Sequence, residues 1–583
     1  MPLSTGDTPA LMLGPLLRHV DPVSATVWVE TDRPCEVEVL GRTVRTFRVG
    51  GHFYALVLVE DLEPGSTTPY EVRLDGARVW PEESSPFPPS RIRTPGRPGP
   101  FRLAFGSCRY AALTTVDVTE GIPPDALDAY AERVASQPED EWPDALVLLG
   151  DQVYADELTT ATRSWLGLRR GEQVPEDGQV QGMEEYTRLY AESWSDPQVR
   201  WLLSTIPSSM VFDDHEMIDD WNTSAAWRRK TTATDWWDER IAGGLVSYWV
   251  YQHLGNLSPQ ELAQNTTWQA VQALAADADA EPVLREMALA ADRDPHTVRW
   301  SYVRHWGEAR LLMVDSRAGR VLDEQARRMV DDEEFAWIEA AMRQAVEDGV
   351  EHLLIGTSLP WLLPHAIDSI ERWNEALAVR HEGRPLGRLA EALRQAADLE
   401  HWAAFGHSFD RLATALLAVA RGEHGRAPST AVVLSGDVHH AYAAEVVDPG
   451  GLAARVHQLT VSPLHNQAPH PIRVGFRIGW SRWARRLTGT IARMARVRPT
   501  SVEWAKAAGP YFGNQVGELV LDGRQARFVL HVSDHRPDGD DGLHQVLDLP
   551  LAGTAADTAG DTTAGTMAGR TADPVPAATA PAG

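Results

Sequence analysis

Apolar and polar residues alternate through the first part of the chain in short segments: SATVWVE (Ser24 to Glu30), CEVEVL (Cys35 to Leu40) and FYALVLV (Phe53 to Val59). A period of two, broken by turn residues at sandwich-like spacing, marks strands that bury one face. Residues 1–94 are therefore expected to form an N-terminal β-sandwich. The proline-rich stretch Pro86 to Pro100 follows, and its last part, 95–100, is the expected linker.

From Phe101 the pattern changes. Short uninterrupted apolar runs between helical stretches predict an α/β or layered α-β-β-α arrangement over 101–551. Two helical insertions interrupt it: Thr223 to Arg299, with Trp227, Trp236, Trp237, Trp249 and Trp268, and Ile367 to Gly422. Tryptophan at this density reads first as packing and second as the wall of a cleft. A last β region, Gly517 to Leu549, contains GELVL and ARFVLHV, and the tail 552–583 has too little apolar surface to fold, so disorder is expected there.

The apolar runs share a polar ending. ALVLLGDQVYADE delivers Asp151, Tyr154 and Asp156; FRLAFGSCRY delivers Cys108 and Arg109; SSMVFDDHEMIDDWN delivers Asp213, Asp214, His215, Glu216, Asp219 and Asp220; AVVLSGDVHHAY delivers Asp437, His439 and His440. LLMVDSRAG adds Asp315 and Arg317. The carboxyl ends of strands are where α/β sheets place their chemistry. Taken singly, Asp151 reads as well as a helix cap, Cys108 as a small buried hydrophobe and His439 as a core histidine. Taken together, so many like charges are costly unless cations neutralise them, which points to a site with more than one metal ion.

Charge and composition narrow this. A formal charge of −28 argues against binding a nucleic-acid duplex, but an acidic chain binds phosphate where metal ions reverse the local field. Two cysteines, Cys35 and Cys108, are too few for a disulfide framework. Holding a thiolate and a phenolate near neutral pH needs a strongly acidifying ion. With Cys108, Asp151 and Tyr154 anionic, a divalent ion leaves one negative charge and a trivalent ion none, which favours Fe3+. The remaining oxygen ligands, with Asp219 or Asp220 and a shared Asp151, suit Ca2+, Mg2+ or Mn2+.

FGSC, GDxxYxD, DDHE and GDxH occur in this order on strand ends, and the chain resembles the PhoD family of alkaline phosphatases within the metallophosphatase superfamily. The resemblance covers most of the chain, including the N-terminal β domain, whose segment DLEPGSTTPYEVRLDG resembles the late turn and strand of a fibronectin type III domain with Tyr70 at a corner between sheets. It implies an α+β multidomain fold, a fibronectin III-like sandwich followed by a metallophosphatase-type α-β-β-α sandwich with helical insertions. It also implies a phosphomonoesterase or phosphodiesterase with an Fe3+ and Ca2+ cluster, Zn2+, Mn2+ or Mg2+ being the alternatives. Cys108, Asp151, Tyr154, Asp437 and His439 match ligand positions, with Asp214 and Asp219 as further carboxylates; Asp219 stands where the family often has Asn. His215 takes the place of the histidine that assists phosphate chemistry. HWAAFGHSFDRL (His401 to Leu412) resembles the family's Asp-x-Trp segment only loosely and supplies no site residue.

The expected chemistry is attack of metal-activated hydroxide on a small-molecule or lipid-linked phosphate ester, with Arg109 on the equatorial oxygens and His215 at the leaving group. The competing class is a non-catalytic binding module on the same scaffold. One feature is left over: Pro471 to Pro499 is strongly basic, and a helix over 481–498 would put Trp483, Leu487, Ile491 and Met494 on one face. Docking on the protein's own acidic body is the first expectation for it, an anionic membrane surface the second. The N-terminus has no basic region followed by an apolar core and no twin arginine, and no run is long enough to span a bilayer, so a cytoplasmic place is expected.

Overall fold

The computed structural model describes residues 8–111, 123–171, 174, 178–466, 470–533 and 542–552, so the expected disordered tail lies, past Ala552, outside the described residues. The alternating segments form the strands they predict: β1 (Leu11–Val20), β2 (Ala25–Thr31), β3 (Glu36–Val39), β4 (Arg42–Arg45), β5 (Phe47–Val49), β6 (His52–Val59), β7 (Thr67–Pro69), β8 (Val72–Leu74), β9 (Ala77–Trp80) and β10 (Arg91–Arg93). One sheet runs β1-β2-β6-β5 and a second β4-β3-β8-β9. Val27, Val29 and Val57 of the first meet Val37, Val72 and Leu74 of the second in one apolar core.

The other face of β2 does not see water, as its alternation suggested; the strand is buried throughout. Trp28, Tyr54 and Leu56 point away from the sandwich core into the largest core of the following body, against Trp249, Tyr251 and Tyr190. Polar residues on this face find partners across the junction, Glu30 Oε2 accepting from the Tyr251 hydroxyl at 2.9 Å. Tyr70 likewise donates to the carbonyl of Ser204, at 2.6 Å, outside its own sandwich. The proline-rich stretch is partly claimed by the β domain, since β10 pairs antiparallel with β7.

The body contains two larger sheets. The first takes β11 (Phe101–Gly106), β12 (Ala145–Leu149) and β13 (Ser208–Val211). The second takes β14 (Tyr302–Trp306), β15 (Ala309–Val314), β16 (His352–Thr357), β17 (Thr430–Ser435), β18 (Ala441–Val447), β19 (Arg455–Thr460) and β20 (Glu503–Tyr511), in the order β14-β15-β16-β17-β19-β18-β20. The last three strands, β21 (Asn514–Asp522), β22 (Gln525–Ser533) and β23 (Leu543–Ala552), return to the first sheet, giving β13-β12-β11-β21-β22-β23. Continuous apolar runs have a physical reason: each strand is covered on both faces. Phe105, Val147 and Leu149 meet Met313, Leu354 and Leu434 between the sheets. Leu146 and Leu148 face the tryptophan-bearing helices on one outside, and Leu312, Ile355 and Val433 face Phe335, Phe409 and Leu412 on the other. The result is the expected α-β-β-α layering. Trp237 and Trp249 are buried in that packing, which makes them structural.

The basic segment forms the helices His470–Gly479 and Arg482–Met494. The second docks on the helix His365–Arg380 with Ala484 and Ala492 as its buried positions.

Candidate metal centre

β11, β12 and β13 are parallel to one another, as are β15, β16 and β17, so their carboxyl ends open on a common edge. Two glycines let these ends approach. A Cβ on Gly150 (φ 103°) would lie 2.6 Å from Asp213 Cβ, and one on Gly436 would lie 2.1 Å from Ser107 Oγ. The loops are then stitched through the backbone: Cys108 N donates to the Gly150 carbonyl at 3.1 Å, Arg109 N to that of Asp151 at 2.9 Å, and Asp437 N to Ser107 Oγ at 3.1 Å. Glu216 of the DDHE motif is spent on this framework, accepting from the backbone of Asp151 (3.0 Å), Gln152 (2.8 Å) and Asp213 (2.8 Å).

The cost of this framework is visible in the backbone. Cys108, Asp151, Asp437 and His439 all adopt positive φ, at 56°, 52°, 66° and 49°. Non-glycine residues seldom do so, and such strain concentrates at functional sites.

Carboxylate oxygens of Asp151, Asp213, Asp214 and Asp437 lie within 4.8 Å of one another, and so do ligand atoms of Asp151, Asp214 and His215. Cys108 Sγ is 3.3 Å from Asp151 Oδ2. The Tyr154 ring sits 4.7 Å from that of His215, and its hydroxyl accepts from Asn466 Nδ2 at 3.0 Å. Burial first, then the neighbouring carboxylates, pushes Asp151 well above the usual carboxylate range; Asp213 is pushed the same way despite Arg317. Burial also raises the Cys108 thiol and the Tyr154 phenol, as do the negative groups around them. Asp151 Oδ1 and Asp213 Oδ2 are buried with no hydrogen-bond partner. Crowded oxygens, a thiol and a phenol, with orphaned acceptors among them, fit a set of donors waiting for cations.

Part of the negative charge is met by protein. Arg317 is fully buried and forms an ion pair with Asp213, while reaching Asp214 at 3.2 Å, Glu400 at 2.5 Å and Asp437 at 3.6 Å. His401 bridges Glu371 (Nδ1, 2.7 Å) and Asp437 (Nε2, 3.2 Å). His215 gives Nδ1 to Asp156 at 2.9 Å; burial opposes its charge, but Asp156 and then Asp151 and Asp214 hold it protonated well above the ordinary histidine range. His439 is held down at about 4 by burial, against the attraction of Asp437.

The chain thus gathers Cys108, Asp151, Tyr154, Asp214, His215, Asp437 and His439 at one edge. Asp219 lies at the rim: it is exposed, belongs to neither group of closely spaced ligand atoms and donates its backbone N–H to Asp156 at 2.6 Å, but it still feels the charges of Asp214 and His215. Arg109, expected over the phosphoryl oxygens, is instead an anchor. Its buried guanidinium pairs with Asp125 at 2.8 Å and Asp128 at 3.2 Å and donates to the Ser193 carbonyl, because Asp125 caps the helix Ala126–Ser136 directly beneath it. Glu400 and His401 sit in an insertion, where no strand end marks them; the loose Asp-x-Trp resemblance that begins at His401 is the only signal the sequence offers there.

A layered two-sheet sandwich whose parallel strands converge on a buried cluster of carboxylates, imidazoles, a thiol and a phenol is a metallophosphatase-like fold. The family model described as PhoD-like phosphatase matches residues 122–477, and the chain belongs to that family, a family of hydrolases acting on phosphoric esters. Residues 8–92 match the model of a domain of unknown function, DUF7800. No curated protein matches the chain. Among solved structures, one described as that of PhoD is similar at 12% identity and a TM-score of 0.54, covering 93% of both chains. The chain is also similar to the purple acid phosphatase PPD1 from yellow lupin (Lupinus luteus) seeds, at 12% identity and a TM-score of 0.45, covering 96% of this chain and 78% of that one.

Proposed function

We propose that the protein hydrolyses phosphomonoesters, phosphodiesters or both at this edge, using Cys108, Asp151, Tyr154, Asp214, Asp437 and His439 to hold metal ions, with Asp219 as a more distant carboxylate. The observation that carries this reading is the convergence of Asp151, Asp213, Asp214 and Asp437 within 4.8 Å. We assign Fe3+ to the side of Cys108 and Tyr154, whose two acidic protons must be displaced, and Ca2+ to the carboxylates, with Zn2+, Mn2+ or Mg2+ as substitutes. When bound, such ions supply charge to the phosphoryl oxygens and acidify water.

The protein's own groups do the rest. Asp151 stands between the thiol and the carboxylates and is the residue to be shared. His215, its Nδ1 fixed by Asp156, keeps Nε2 for the departing alcohol oxygen as proton donor or charge partner. Arg317 holds Asp213, Asp214 and Asp437 in place rather than touching substrate. The reading divides the chain into a fibronectin III-like sandwich (1–94), a linker (95–100), a catalytic unit (101–551) and a tail (552–583).

Elemental analysis with chromogenic phosphate mono- and diesters tests it. Asp151→Asn should lose bound metal and reduce turnover more than about a hundredfold. Normal metal content together with normal turnover in that variant would falsify the assignment.

A further inference from the structure

Ten of the fourteen large apolar side chains left exposed among the described residues lie on four helices, His365–Arg380, Pro385–Ala396, His470–Gly479 and Arg482–Met494. The first of these touches the other three. On Arg482–Met494 the exposed side chains form a stripe, Trp483, Leu487, Ile491 and Met494, spaced as one face of a helix; Trp483 is 61% and Met494 80% exposed. A soluble protein normally turns such a face inward. Here the helix is already held by another face, through Ala484 and Ala492, so the stripe stays outside a fixed element.

Charge says what covers it. Between Pro471 and Pro499 there are eight arginines and no acidic residue, in a chain of net charge −28. At 100° per residue, Arg482, Arg486 and Arg493 fall away from the apolar stripe, while Arg485 pairs with Glu503 at 2.7 Å. We propose that this helical face docks on the surface of an anionic phospholipid bilayer, the stripe entering the boundary between headgroups and acyl chains while the arginines reach lipid phosphates. A symmetric contact with a second copy would set arginine against arginine, and a nucleic acid would leave the stripe unused. No helix among the described residues is long and apolar enough to cross a membrane, so the contact is peripheral. Phe476, on the first helix of the pair, has its ring 4.0 Å from that of His440, which seats that helix against the residue next to His439.

This inference stands apart from the phosphoesterase reading, and its test does not use turnover. The full chain is floated with vesicles of phosphatidylcholine alone and of phosphatidylcholine with phosphatidylglycerol, at low and high salt. Binding is expected to the anionic vesicles only and to weaken with salt. Leu487→Glu with Ile491→Glu, and separately Arg486→Glu with Arg493→Glu, should each weaken binding at least about tenfold, while Leu168→Glu, an exposed change on a different helix, leaves it unaltered. Absence of flotation at low salt overturns the proposal, as does binding that survives both double variants. Concentration-dependent dimerisation that Leu487→Glu abolishes, without vesicle binding, overturns it in favour of a second copy.

Discussion

Asp437 shows how single side chains hold this site. It adopts positive φ, accepts from His401 on one oxygen at 3.2 Å and faces Arg317 on the other at 3.6 Å. Burial alone would raise its pKa, yet the hydrogen bond and charge of His401, with Arg317, keep it down at about 2. His401 is itself fixed by Glu371, so on the proposed metal-binding reading it is a positioning residue for Asp437. His401→Ala is expected to lower metal affinity about 10–100-fold, and His401→Gln, which keeps a donor, to recover part of it. Dialysis against graded chelator with metal analysis reads this directly; unchanged retention in both variants would remove the role. The one hint in HWAAFGHSFDRL is its loose resemblance to an Asp-x-Trp segment, which does not reveal that His401 meets Glu371 and Asp437 across the fold. Arg109 is the opposite case: a cation beside Cys108 looks the same in sequence whether it faces substrate or, as in the structure, pairs with Asp125.

Strand ends were the legible element because each combines an apolar run, covered on both faces, with an abrupt polar ending. What the sequence does not reveal is how near those ends come, and that depends on glycine. A Cβ on Gly436 would meet Ser107 Oγ at 2.1 Å and Cβ at 2.3 Å, with the Leu149 carbonyl at 3.0 Å. Gly436→Ala should therefore force the end of β17 away from β11 and cost about 1–3 kcal/mol, the usual penalty of overpacking. Ser107→Gly removes both side-chain atoms of the clash, so the double variant should regain part of the loss. The two single variants and the pair, compared by denaturant midpoint at constant slope, measure that coupling; strictly additive losses would mean the clash is relieved elsewhere. β2 departs from its pattern for a different reason: its alternation is real, but the face carrying Trp28 packs on the helical insertion.

At the scale of the whole molecule, the β domain is joined to the body by an ionic clasp as well as by aromatic packing. His52, on β6, gives Nδ1 to Glu30 of β2 at 2.8 Å and faces Glu184 of the helix Met183–Trp194 with Nε2 at 3.2 Å. Burial disfavours its charge, but Glu184 and Glu30 outweigh that and raise its pKa to about 9; Glu184 is lowered in turn by His52. A histidine raised above its unfolded value stabilises the fold fully below about pH 6.5 and loses that contribution as pH climbs through about 9. The lowered Glu184 sets the acid limit, since its share fades as it protonates below its ordinary range. Discounted for the partial exposure of both partners, the clasp contributes about 1–2 kcal/mol. His52→Gln should thus be less stable than the parent near pH 6 and nearly equal to it above about pH 9.5. Calorimetric unfolding of both proteins across that range measures the difference, and a gap that stays constant with pH would show the histidine to be neutral and the clasp to be packing alone.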